Sequence, residues 1–480
     1  MVELKTERAV SRAGDEEAPR STYSTKTRAG AVAVSLAMIV HGLYLFGRYD
    51  TKWAFAVTAV GLSVLAAVFV SAGYLSAVPR WLRRDDAPFV LSFCMSAVIF
   101  VFLFVPGAVP DEFYHFFSTY KYSDVLTGQE VSDSYISMRG DDVLFVDSVL
   151  STKVSRESYG AVADSFSVFA EDSGYSKKVV DSTYSMTANV PQQRVPAALG
   201  IVLAKILGLG SVPLFYLGRL FNAAYSCMLI ILAVRIIPIG KNVFKIVSLL
   251  PMTLHLVGSY SYDGPSLGFA FLLSALILRA IFDERRLETK DLIVIAVVAV
   301  LLAPCKAIYV LIVFLALAIP RARFADKKTE IAFKAGIVVA SAGVVLLLRM
   351  SSLLMAAGAS TGGDGLSYRG DEAGYPYTVH DFISQPIMAV MLFLRSFDYF
   401  GGEWITKTLG GSLGWFQEEI SAPMYLNYVY LVLLLLSCVA VRKQEKALPP
   451  HIRIVLGLIS AGVILAAILS MATSWTFNTD

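Results

Sequence analysis

Apolar runs recur along this chain at close to membrane-spanning length, separated by short charged turns and two long polar stretches. The first three runs are Ala31–Gly47, Trp53–Val78 and Pro88–Pro106. The later ones are Leu214–Ile236, Val243–Tyr260, Pro265–Phe282, Asp291–Ala303, Ala307–Pro320, Ile331–Met350, Pro423–Val441 and Arg453–Ala472. A helix needs about 20 apolar residues to cross a bilayer core, so the pattern predicts an all-α polytopic membrane protein with about 11 transmembrane helices. Val195–Leu209 is shorter and contains Lys205. It reads as an interfacial helix, and so does the apolar stretch Pro386–Tyr399.

Charge fixes the orientation. Arg80, Arg83 and Arg84 follow the second run, which places that link in the cytoplasm by the positive-inside rule. Gly107–Arg194 then lies outside; it holds thirteen acidic residues against seven basic ones, a balance of −6. The predicted organisation is a disordered cytoplasmic tail (1–30), three transmembrane helices (31–106) and an extracytoplasmic subdomain with an interfacial helix (107–212). A transmembrane core (213–350), a second extracytoplasmic region (351–422) and C-terminal transmembrane helices (423–480) follow. Lys306 sits at the tip of a hairpin whose arms are too short to reach across, a position where a lysine is costly and points to function.

Composition agrees. Of 480 residues, 56% are hydrophobic and 16% charged, against about 25% charged in soluble proteins. Mean hydropathy is +0.62. A soluble enzyme is excluded, and a net charge of +3 gives no reason to invoke nucleic acid. Cys94, Cys227, Cys305 and Cys438 all fall in apolar runs, without the spacing of a disulfide framework or zinc site.

The densest candidate chemistry is Pro110-Asp111-Glu112-Phe113-Tyr114-His115-Phe116. Adjacent carboxylates can act as a general base and as a charge stabiliser or metal ligand. A helix starting at Pro110 would put Asp111 and His115 on one face. An ordinary first helical turn, with proline at its start and acids near its positive end, accounts for the same residues. His255 and the turn Ser259–Gly264, with Tyr262 and Asp263, lie on the same side, as does Lys306, whose amine could hold a phosphate or simply snorkel. Arg219 near a helix end reads most simply as snorkelling. Gly362-Gly363-Asp364-Gly365 reads as flexible loop.

The ordered series P-D-E-x-x-H-F, L-G-R-L-F-N (Leu217–Asn222), L-L-P-M-T (Leu249–Thr253), S-Y-D (Ser261–Asp263) and Leu413-Gly414-Trp415 resembles domain-of-unknown-function family 2142 of bacterial membrane proteins. The resemblance runs from about Phe89 to Trp475 and implies a further membrane segment beyond Asp480. The layout is also similar to the GT-C superfamily of membrane glycosyltransferases. That similarity implies a polyprenyl-phosphate-linked sugar donor and a cell-envelope glycan or polymer as acceptor. It also implies Asp111 and Glu112 as the catalytic acids and Val195–Leu209 as the jaw helix. His115, Lys306, Asp263, Tyr262, His255 and Arg219 would bind substrate. No cofactor is certain, although Glu112 or His115 could hold a divalent cation. A transporter or flippase of a lipid-linked glycan and a non-catalytic envelope-assembly scaffold stand as alternatives.

Overall fold

The computed structural model describes residues 86–132, 134–179, 190–356, 379–415, 424–439 and 448–474, with isolated helical positions between 29 and 40. The expected tail 1–30 and runs 31–47 and 53–78 lie wholly or almost wholly outside them, as does the glycine-rich 362–365. The chain divides into two units, Met1–Met95 and Ser96–Asp480, and helix α1 (Ala87–Leu103) runs across the boundary. In the first unit Phe89 stacks on Phe93 with ring centroids 5.6 Å apart.

The second unit is predominantly helical. Helix α2 (Glu112–Thr127) leads into strand β1 (Tyr135–Arg139), then helices α3 (Gly140–Ser148) and α4 (Arg156–Asp164), then strand β2 (Tyr175–Val179). The strands pair antiparallel, Tyr135 opposite Val179 and Arg139 opposite Tyr175. Helices α5 (Pro191–Ile206) and α6 (Ser211–Ile236) follow. Next come α7 (Lys241–Ser248), α8 (Pro251–Val257), α9 (Asp263–Phe282) and α10 (Thr289–Leu302). The described chain ends with α11 (Lys327–Ala356), α12 (Pro386–Thr408), α13 (Met424–Val439) and α14 (Pro450–Ser474).

Among the described residues, four helices are long and apolar enough to cross a membrane: Ser211–Ile236, Asp263–Phe282, Lys327–Leu348 and Pro450–Ala472. Ala87–Leu103 and Met424–Cys438 are shorter apolar helices. Two expected crossings are not continuous helices. The run Val243–Tyr260 breaks into α7 and α8 because Pro251 forces Leu250 into an extended conformation (φ −60°, ψ 139°). The run Ala307–Pro320 is a mixture, with 3₁₀ turns at Ala307–Tyr309 and Phe314–Ala318 around a single α turn, Val310–Val313. Helix α12 outruns its expected end at Tyr399 by nine residues.

Helices α6 and α9 anchor an aliphatic core that includes Leu229, Ala233, Leu273, Ile277, Val298 and Leu302. An aromatic cluster of Phe116, Tyr120, Phe145, Phe215 and Tyr260 joins α2 and α3 to the start of α6. Helix α5 lies tight against α6: a Cβ on Gly200 would meet the Leu217 carbonyl oxygen at 2.6 Å, so this crossing admits no side chain. Polar clamps hold the same region. Asp142 accepts from Arg139 Nε (2.8 Å) and Nη2 (2.9 Å), from the Tyr120 hydroxyl (2.6 Å) and from Ser211 Oγ (2.7 Å). Lys205 Nζ meets Asp124 at 2.8 Å, donates to Ser123 Oγ at 2.9 Å and lies over the Tyr120 ring.

Candidate functional site

The acidic motif lies where the chain turns from α1 into α2. The turn closes with Ala108 N–H donating to Val105 O and Glu112 N–H to Val109 O. It keeps Pro110 out of the helix, which begins at Glu112 rather than at the expected Pro110. Asp111 is left as the N-cap in the left-handed region (φ 59°, ψ 13°), the only non-glycine residue with positive φ among the described residues. An L-residue held there stores about 1–2 kcal/mol of strain, and such positions gather at functional sites. The Asp111 side chain is exposed and makes no capping hydrogen bond.

Glu112, its neighbour, points the opposite way. It is fully buried and its four acceptor positions are filled. Oε1 accepts from Arg219 Nε (2.8 Å) and the Tyr260 amide (3.1 Å). Oε2 accepts from Arg219 Nη2 (2.5 Å) and the Gly107 amide (3.0 Å). Arg219 spends its remaining donors on the carbonyls of Val101 (2.8 Å), Phe104 (2.6 Å) and Val105 (3.2 Å). Arg219 therefore does not snorkel; it is fully buried inside the protein. Such a pair offsets its desolvation only because every donor and acceptor is matched.

A second cluster forms around His115, one helical turn after Asp111. Arg194, also fully buried, places Nη2 2.7 Å from His115 Nδ1 and donates through Nη1 to the carbonyls of His115 (3.3 Å) and Tyr260 (3.1 Å). A guanidinium only donates, so Nδ1 is the acceptor and a neutral ring carries its proton on Nε2. Burial pulls the Arg194 guanidinium down to about 10, which leaves it cationic at neutral pH. The Tyr262 ring stands edge-on to His115 at 4.9 Å and lies 5.1 Å from the Arg194 guanidinium. Lys306 Nζ is 5.6 Å from the same ring and 2.8 Å from Asp263 Oδ1. Gln193 Nε2 ties this wall together by donating to Ser266 Oγ (2.8 Å) and the Cys305 carbonyl (3.4 Å).

The structure thus brings His115, Tyr262, Asp263 and Lys306 into one contact series, although they come from three distant stretches. Glu112 and Arg219 sit beside it as a closed pair. His255 belongs elsewhere: its Nε2 accepts the Gly414 amide (3.2 Å) and its ring meets Phe104 edge-on at 4.6 Å. Trp415, next to Gly414, donates its indole N–H to the Gly107 carbonyl (2.9 Å). The L-G-W motif is therefore bound to the turn that carries the acidic motif. Arg194 and Gln193 escaped the sequence reading. The one available signal was the polar first turn Pro191-Gln192-Gln193-Arg194 before an apolar helix.

Chemically, the contact series sets two cations, one buried and one partly exposed, about the ring of Tyr262, and Asp111 offers an exposed carboxylate one helical turn before His115. The cations suit an anionic group and the carboxylate suits proton abstraction. Among the described residues, no group of three or more His, Cys, Asp and Glu side chains is placed to hold a metal ion.

These features define a helical membrane protein whose polar site is assembled at helix ends. The chain belongs to the family of predicted membrane proteins known as DUF2142, which matches residues 94–480. No curated protein and no solved structure matches the chain.

Proposed function

We propose that this protein is a membrane glycosyltransferase of GT-C-like layout, with about 11 transmembrane helices and a cytoplasmic N-terminus. It moves a sugar from a polyprenyl-phosphate donor to a cell-envelope acceptor on the extracytoplasmic face. The observation that carries this reading is Asp111: an exposed carboxylate held in a strained backbone conformation, one residue from a fully locked ion pair. In this reading Asp111 takes the proton from the acceptor hydroxyl as that oxygen attacks the anomeric carbon. The bond from that carbon to the phosphate oxygen breaks, and the lipid phosphate leaves with the electron pair. Lys306, released in part from Asp263, holds the phosphate, with Arg194 reinforcing the positive field behind Tyr262. Glu112 acts as a positioning residue that fixes the peptide on which Asp111 stands. A general base supplies about 10²–10⁴-fold, so stabilisation of the departing phosphate carries much of the remainder.

The test is transfer by the reconstituted protein from a panel of polyprenyl-phosphate sugars, comparing wild type with Asp111→Asn. Loss of transfer of about 10²-fold or more with donor binding retained is the expected result. An Asp111→Asn protein that transfers normally would overturn the assignment. Wild type that turns over no donor, with Asp111→Asn complementing in cells, would favour a scaffold instead.

A further inference from the structure

Beyond the candidate site, the far end of α5 presents an apolar surface that the proposed chemistry does not use. Leu203, Ile206 and Leu207 are 37%, 73% and 54% exposed there. The loop after α4 adds Phe166, Val168 and Phe169, at 57%, 53% and 64%.

The two segments are joined into one ledge. Ala170 N–H donates to Gly208 O (2.8 Å), Gly210 N–H donates to Val168 O (3.1 Å), and Phe169 bridges antiparallel to Leu209. Gly210 is required at this junction, because a Cβ there would meet the Ser167 carbonyl oxygen at 2.3 Å. The loop therefore does not dangle. Its aromatic side chains are presented by paired backbone.

The ledge is also stripped of charge. Ser165–Ala170 is an uncharged run between Asp164 and Glu171. Lys205, the one basic side chain in the last turn of α5, is turned inward onto Asp124 at 2.8 Å.

Chain continuity places the ledge in height. It abuts Ser211, the first residue of α6, a 26-residue helix apolar enough to cross a membrane. At 1.5 Å per residue α6 is about 39 Å long. That exceeds the hydrocarbon core of about 30 Å and approaches the 40–45 Å that includes both headgroup layers. With its basic end at Arg235 in one headgroup layer, its start lies in the other. Aromatic and aliphatic side chains at that level anchor proteins in bilayers.

We propose that the ledge formed by 166–169 and 203–207 is a membrane-interface anchor that inserts into the lipid layer at the N-terminal end of α6. It holds the polar region between α1 and α6 down on the bilayer. The occupant is lipid, bound through apolar contact, so binding does not require anionic headgroups. One corollary follows for the candidate site. Arg219 lies eight residues into α6, so the Glu112–Arg219 pair sits about 12 Å below the level of the ledge.

The test places a nitroxide on Phe169→Cys and, separately, on Ile206→Cys in the full chain, reconstituted in zwitterionic nanodiscs. The signal of the identically treated parent protein, which has four cysteines of its own, is subtracted. Glu157→Cys, an exposed position on α4, is the water-facing control. Collision with oxygen several-fold above collision with a water-soluble nickel chelate at 169 and 206, reversed at 157, is the expected result, unchanged on adding anionic lipid. Nickel-dominated collision at both ledge positions would place the ledge in water and overturn the proposal. Low collision with both reagents would mean that protein covers the ledge, and would overturn it too. Using two ledge positions guards against one variant failing to fold.

Discussion

Arg219 meets Glu112 across 107 residues of sequence through two nitrogens, at 2.8 and 2.5 Å, and neither side chain is exposed. Three backbone carbonyls at the end of α1 and just beyond it, Val101, Phe104 and Val105, take the rest of the guanidinium. The pair thereby pins α6 to the turn that sets up Asp111.

Removing one partner leaves a buried charge without its match, a loss typically of about 3–5 kcal/mol. Glu112→Ala and Arg219→Met should each sharply lower thermal stability in detergent, read as the midpoint of aggregation by size-exclusion chromatography. Arg219→Lys should rescue little, because an ammonium cannot reproduce the planar set of five donors. Stability unchanged in all three would mean that the pair does not hold the turn.

At Asp111 the expected effects on stability and activity are opposed. Asp111→Gly relieves the left-handed backbone and should raise stability by about 1 kcal/mol while abolishing transfer. A thermal melt and a transfer assay on the same preparation check both. A less stable Asp111→Gly protein would show that the carboxylate makes a structural contact.

Lys306→Ala should weaken polyprenyl-phosphate binding strongly while leaving the melt nearly unchanged, since the amine is partly exposed beside Asp263. Lys306→Arg should retain part of the affinity, because charge survives and geometry does not. Binding measured in nanodiscs decides it; unchanged affinity in Lys306→Ala would remove the phosphate role.

Asp124 gives a pH signature. Burial pushes its carboxyl up to about 6, against the opposing pull of the Lys205 ammonium. The folded chain thus keeps a proton that the unfolded chain releases near pH 4. This group's contribution to stability should fall as pH rises from about 4 to 6, on the order of 2 kcal/mol. Stability measured across that window in wild type and Asp124→Asn checks the sign, and the variant should lose that part of the slope.

The apolar runs around α6, α9, α11 and α14 were legible because hydropathy over 20 residues averages out local detail. Helix continuity was less so. Pro251 carried a signal for the break in Val243–Tyr260, but an apolar run of spanning length outweighed it; the 3₁₀ turns at 307–318 lie in an apolar run with no breaker before Pro320. In the site, His115, Tyr262, Asp263 and Lys306 drew attention by residue type, and the structure sets these four in contact while His255 lies against Gly414. The divergence of Asp111 and Glu112 was hidden. Adjacent acids look equivalent until a positive φ at one of them sends the two side chains apart. Arg194 was hidden too, because one arginine ending a polar stretch carries no pattern and its partners lie 66 and 79 residues away.

The Gly107 junction also orders events in time. Its amide is taken by Glu112, five residues on, whereas its carbonyl waits for Trp415, 308 residues later. A chain emerging from the ribosome can form the first bond once α2 exists and complete the Arg219 pair after α6. The second bond cannot form until the chain has been synthesised through Trp415. Contacts of such separation are slow to close. The turn beneath Asp111 therefore matures only after the 308 residues that follow Gly107 have been made, and a nascent chain carries it unfinished throughout that interval.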